Sequence, residues 1–236
     1  MAAGVPTGPF KKKGTIDLLQ SLRSLLQDAV YLIPAVLLSL SFHEFSHGYA
    51  AYRLGDPTAK DAGRLTLNPM AHMDPLGTLC MFFFRFGWAK PVPINPMYFR
   101  DQKKGMAISA AAGPISNLLL AFISMLCFYL TYYYAKGGML TNYLISFLHI
   151  MVLINVGLAV FNLLPVSPLD GSKILYSVLP NRLYFSIMRY EGYFQPVLFL
   201  LLWTGLLSRP IALLRDGVIR GMQALIVPIF RLLLIR

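Results

Sequence analysis

The sequence predicts an α-helical integral membrane protein, a bundle of about four to six membrane helices of roughly 20 residues each. Three observations predict it. Apolar residues make up 56% of the 236 residues and charged residues only 13%, against about 25% charged in soluble domains. Mean hydropathy is +0.59. Apolar runs long enough to span a bilayer recur along the chain. A disordered chain is excluded, and an ordinary soluble enzyme does not fit.

Residues 1–28 read as a basic tail, with Lys11, Lys12 and Lys13, followed by an amphipathic helix. Ile16, Leu18, Leu19, Leu22, Leu25 and Leu26 recur at helical spacing over 15–27, a stretch too short to span and suited to the membrane interface. Ala29–Tyr52 is the first span, apolar except for a polar knot at His43–His47. Its length and retained charges do not suit a cleavable signal peptide.

Residues 53–105 differ in kind and are expected to form a small membrane-associated β or re-entrant loop. Leu76–Phe86 is apolar but too short to cross and contains Arg85. Alternation in Gly63–Leu67, and the spacing of Pro91 and Pro93 within Trp88–Asn95, predict short strands. Met106–Tyr134 is the second span, opening on the small residues Ser109–Gly113 that suit close helix packing. Leu140–Leu164 is the third and runs into NLLPVSPLDG at 162–171, where Pro165 and Pro168 must break the helix. Phe194–Leu207 is a further apolar run, and 211–236 carries enough arginine to leave both a crossing and a surface position open. Residues 181–236 are read as accessory membrane helices. Cys80 and Cys127 lie in apolar stretches and read as buried free thiols rather than a disulfide pair.

The charge excess of +11 is explained by orientation. Eight Lys/Arg lie in 53–105, while the turn 135–139 holds only Lys136. The positive-inside rule therefore puts 53–105 in the cytoplasm, so the first and third spans run parallel from outside to inside of the cell membrane. The basic tail conflicts with this unless 15–27 brings it back. With the charge so placed and no aromatic–basic interleaving, nucleic acid is not expected as a partner.

The polar knot is His43-Glu44-Phe45-Ser46-His47, an HExxH pattern. On a helix, residues i and i+4 share a face about 6 Å apart, close enough for both imidazoles to ligate one Zn²⁺. Glu44 beside the first ligand can take a proton from zinc-bound water as general base. Ionisable groups inside a span survive chiefly by pairing, binding metal or lining a wet cavity. Catalytic zinc usually has three protein ligands, so one is missing. Asp170 stands out, because a carboxylate on a broken helix can reach sideways to a metal on a neighbouring helix. An N-cap is its bland alternative, and both roles can coexist. Depth supports the pairing: His47 lies 18 residues past Ala29, about 27 Å along a helix, near the cytoplasmic end where Asp170 also falls. His149 reads as a satisfied core histidine, His72 and Asp74 as loop residues, and Glu191 as an ion-pair partner of Arg189.

Four segments carry a resemblance: residues 43–69 (HEFSHGYAAYRLGDPTAKDAGRLTLNP), 87–96 (GWAKPVPINP), 112–121 (AGPISNLLLA) and 162–171 (NLLPVSPLDG). Together they resemble the site-2 protease family of intramembrane zinc metalloproteases, in particular its short bacterial and archaeal members without PDZ or CBS modules. The resemblance covers about residues 30 to 180. It implies a core of three catalytic helices within 29–180, one bound Zn²⁺ held by His43, His47 and Asp170, and Glu44 as general base. Asn162 and Asn117 are implied as substrate-positioning residues. Ser167 stands where many members carry proline and leaves every ligand in place. The implied activity is hydrolysis of transmembrane helices of membrane-anchored proteins in the lipid bilayer, with release toward the cytoplasm. An unwound substrate could then add as a strand to 63–67 or 88–95. Two other readings use the same cluster, a membrane ion or metal transporter and a catalytically inactive zinc-binding scaffold. Against the transporter, the chain shows no paired half-repeats.

Overall fold

The computed structural model describes residues 10–77, 80, 89–180, 183, 187 and 190–234, with the side chains of 10–28, 191, 233 and 234 left aside. Helix α1 (Phe10–Arg53) is continuous across the boundary expected at residue 28 and contains Pro34. Short helices α2 (Thr58–Asp61) and α3 (Pro69–His72) follow, then a single 3₁₀ turn at Pro96–Tyr98. The long helices α4 (Gln102–Tyr134) and α5 (Met139–Asn162) come next. A break leads to α6 (Asp170–Val178), and α7 (Glu191–Trp203) and α8 (Ser208–Leu234) complete the order.

Among the described residues, three segments are long and apolar enough to cross a membrane: Ala29–Arg53, Gln102–Tyr134 and Met139–Asn162. The pair α7 and α8, bent by 83° at a short break, makes a fourth if it counts as one span. That is the low end of the expected range. Helix α1 packs on both α4 and α5, and α6 lies against α4. The apolar core joins Ala121 and Met125 of α4, Val152, Val156 and Val160 of α5, and Ile226 and Phe230 of α8. Thus α8 does pack on the helical core, whatever its own crossing.

Local chemistry explains the ends. Gly55 follows α1 at φ +104°, a left-handed conformation that favours glycine, and its N–H bonds to Tyr52 O at 3.1 Å. Asp101 caps α4 by accepting from Lys104 N–H at 3.0 Å. That hydrogen bond holds its carboxyl below the usual carboxylate range. At the other end of the broken connection, Lys103 Nζ donates to Leu179 O at 3.1 Å, satisfying a carbonyl just past α6.

The strands expected at Gly63–Leu67 and Trp88–Asn95 are absent among the described residues, which show one isolated antiparallel bridge, Met73 to Ala89. Trp88 itself and most of Leu76–Phe86 lie outside the described residues. The reason is where the backbone donors go. Pro91 and Pro93 have no N–H to offer. Lys90 N–H bonds to His72 O at 2.8 Å, Val92 N–H to Glu44 Oε2 at 2.9 Å, and Asn95 N–H to Asp56 Oδ2 at 2.7 Å. Arg64 Nη2 takes Lys90 O at 2.7 Å. The segment is therefore pinned to α1 and its C-terminal turn by side chains, with no ladder left to form. Cys80 and Cys127 are free thiols, half-buried rather than fully buried.

Candidate metal centre

Two histidines come from one helix face and one carboxylate from a chain break. His43 and His47, one turn apart on α1, set their rings edge-to-face at 4.5 Å between centroids. Their Nε2 atoms stand 3.0 Å apart. Asp170 Oδ2 lies 3.2 Å from His43 Nε2 and 3.1 Å from His47 Nε2. All three residues are buried. His43, His47 and Asp170 thus lie together, with one potential ligand atom of each within 4.8 Å of the others.

The outer nitrogens decide what the inner ones can do. His43 Nδ1 faces Asn117 Oδ1 at 2.6 Å, and His47 Nδ1 faces the Ser109 carbonyl at 2.7 Å. A carbonyl only accepts, so His47 Nδ1 carries the proton and donates. Asn117 is fixed too: its Nδ2 donates to Ser39 O at 3.2 Å, which turns its oxygen toward His43. In the neutral rings both Nε2 atoms then present lone pairs inward. Asp170 Oδ2 adds a third and, among the described residues, makes no hydrogen bond of proper geometry despite its short distances. Three lone-pair donors at 3.0–3.2 Å repel one another unless a cation lies between them. Donors sharing one zinc at about 2.0–2.2 Å stand no more than about 4.4 Å apart, so these edges fit such an ion.

Two glycines make the approach possible. A Cβ on Gly113 of α4 would overlap the Nε2–Cε1 edge of the His47 ring and stand 2.7 Å from His43 Cε1. Only glycine lets α4 close on the pair. A Cβ on Gly171 would collide with the carbonyls of Leu163 and Leu164, so the chain can fold back after the break only with glycine beside Asp170. The break is held by its own hydrogen bonds: Val166 N–H to Leu164 O, Leu169 N–H to Val166 O, and Ser172 Oγ to Leu169 O at 2.7 Å. Asp170 Oδ1 has Lys173 Nζ at 3.5 Å, one turn along α6.

Glu44 is buried beside the pair, with Oε2 accepting from Val92 N–H. Asn117 is fully buried, and its amide atoms face His43, Ser39 and Asn155. Asn162 sits in the last turn of α5, donates to Leu158 O at 3.1 Å, and is not among the converging ligands. His72 lies apart, bonded to Thr66 O at 2.7 Å, and Asp74 accepts from Gly77 N–H. His149, expected in the core, is exposed and lies beside the Phe128 ring. Arg189 and the Glu191 side chain fall outside the described residues. Four contributors escape sequence reasoning: Ser109, Asn155, Asp56 and Val92. Asn155 alone had a signal, as a polar residue within an apolar span. An open apolar groove of about 500 Å³ runs between α1 and α4, lined by Ser46, Tyr49, Ala50, Ala112 and Leu119 among others, none of them a ligand.

The sequence matches the family model for peptidase family M50 over residues 31–204. Among similar proteins, one of Bacillus subtilis (strain 168), provisionally named zinc metalloprotease YwhC, is 39% identical over 165 residues, 69% of this chain and 75% of that protein. Proteins provisionally named zinc metalloprotease Rip2 are also similar. That of Mycolicibacterium smegmatis is 33% identical over 100 residues, 40% of this chain and 38% of its own length. That of Mycobacterium tuberculosis (strain H37Rv) is 30% identical over 153 residues, 62% of this chain and 56% of its own. No solved structure matches significantly.

Proposed function

The chain belongs to peptidase family M50 and is a multi-pass membrane zinc metalloprotease, and from that premise we propose that it is an intramembrane endopeptidase. It hydrolyses peptide bonds within or near transmembrane helices of membrane-anchored proteins. The observation that supports this most is the placing of three inward-facing donors and Glu44 among helices long and apolar enough to cross a bilayer. In this reading His43, His47 and Asp170 hold one zinc, the core spans 29–180, and 181–236 is accessory to it.

Each side chain then has a task. When bound, zinc supplies Lewis acidity that lowers the pKa of water to about 7. Glu44 accepts the proton of the attacking water and passes it to the departing amide nitrogen. The Val92 N–H on its Oε2 fixes that carboxylate, so the proton is taken at the other oxygen. Asn162, outside the ligand set and half-buried, is free of metal duty and suits contact with substrate backbone. The charge pattern puts the site toward the cytoplasmic face of the cell membrane. Strand addition on 63–67 loses its support, since that segment forms no strand and Leu65 lies against α1 near Gly48.

The test uses the purified chain and Glu44→Gln, with zinc content and cleavage of a model transmembrane substrate measured side by side. Equal zinc in both, with cleavage only by the parent, is the expected result. A transporter or an idle scaffold gives zinc without cleavage by the parent, and that result sinks the proposal.

A further inference from the structure

Behind the metal centre, two amides stand in line with His43. Asn155 of α5 and Asn117 of α4 are both 0% exposed. Asn155 Nδ2 donates to Met151 O and to Ser39 Oγ, each at 2.8 Å. Its Oδ1 accepts from Asn117 Nδ2 at 2.8 Å. Asn117 Nδ2 also donates to Ser39 O, and Asn117 Oδ1 receives His43 Nδ1–H at 2.6 Å. Backbone carbonyls only accept, so Met151 O and Ser39 O turn both amide nitrogens toward themselves. Each oxygen must then face the next donor, and the line has one direction.

We propose that Asn155 is a positioning residue for the metal centre. By accepting from Asn117 Nδ2 it keeps the Asn117 oxygen on His43 Nδ1, which holds the proton there and leaves His43 Nε2 aimed at the metal. This inference rests on the zinc reading of the three ligands and extends it to a residue that touches none of them. Outer partners of ligating histidines fix tautomer and ring orientation, and in a dry interior a fully satisfied amide line does so without adding charge. Neighbouring Val156 fills the same seam with apolar atoms alone.

The measurement is zinc affinity by competition with a chromophoric chelator, together with the visible spectrum of the Co²⁺-substituted protein. Asn155→Leu removes the acceptor and should weaken zinc about tenfold and shift the Co²⁺ bands. Asn155→Asp keeps the shape: when protonated it donates to Met151 O and still accepts from Asn117, so affinity should stay within about twofold of the parent. Val156→Ala should lower the melting temperature in detergent without moving zinc affinity. Parent-like affinity in Asn155→Leu overturns the proposal, as does an equal loss in Asn155→Asp. So does an equal loss in Val156→Ala, because packing alone would then explain it. If Asn155→Leu does not fold, Asn155→Ser replaces it under the same criteria. A parent that binds no zinc fails the underlying reading; a parent that binds it while Asn155→Leu binds equally fails this inference alone.

Discussion

The metal centre has two sides that are built differently. On the helix side, His43 and His47 stand on an unbroken stretch of α1, and each Nδ1 is locked by its own acceptor, Asn117 Oδ1 or Ser109 O. On the break side, Asp170 opens a nine-residue helix after a proline-interrupted turn. Its other oxygen, Oδ1, has among the described residues only Lys173 Nζ at 3.5 Å, on a side chain 40% exposed. The helix side is held by side-chain chemistry and the break side by backbone path. Histidines need help with tautomer and ring angle, whereas a carboxylate needs only to arrive.

Four substitutions test that contrast, beginning with the largest effect. Asp170→Ala deletes the whole contribution of the break side and should weaken zinc by more than the about 100-fold typical of outer partners, ending cleavage. Zinc retained at parental affinity would separate the two sides altogether. The two glycines should fail in opposite ways. Gly171→Ala drives a Cβ into backbone carbonyls that cannot swing aside, so stability should fall by about 3 kcal/mol, the upper end for overpacking. Gly113→Ala meets imidazole side chains rather than backbone, so it should cost less, about 1 kcal/mol, but push the rings off their Nδ1 acceptors and loosen zinc about tenfold. Thermal unfolding in detergent and chelator competition, run on both variants, would erase the distinction if the two profiles matched. The smallest effect belongs to Lys173→Met, expected to change zinc affinity by no more than about threefold, since half-exposed ion pairs contribute little. A larger loss would make Lys173 the lock that the break side otherwise lacks.

The helix side and the break side were also unequally legible in the sequence. HExxH names its candidate ligands because helical periodicity alone puts i and i+4 together. Asp170 was readable because two prolines and a glycine force a break at the depth of His47. Partners across helices were not readable. Asn155 and Asn117 lie 38 residues apart in sequence, and only packing brings them within 2.8 Å. The Ser109 carbonyl is a backbone group and has no residue-type signature. The strand expectation failed for a related reason: alternation in 63–67 was visible, but the side chains that capture the donors of 89–95 lie at Glu44 and Asp56, far away in sequence. Continuity of α1 was hidden because the change from amphipathic to apolar pattern near residue 28 marks a change of surroundings, not an end of the helix.

The locking groups around the histidines share one property, which is that none of them is ionised: a carboxamide, a peptide carbonyl and a second carboxamide. In the zinc reading, the buried formal charges are then those of Asp170, Glu44 and the ion, and they sum to zero, with the half-exposed Lys173 at the edge. Such a cluster is electroneutral in an environment that penalises every uncompensated charge. Without the ion, the two buried carboxylates would lose the charge that balances them. In that reading, loading the ion relieves a charge imbalance that a bilayer penalises.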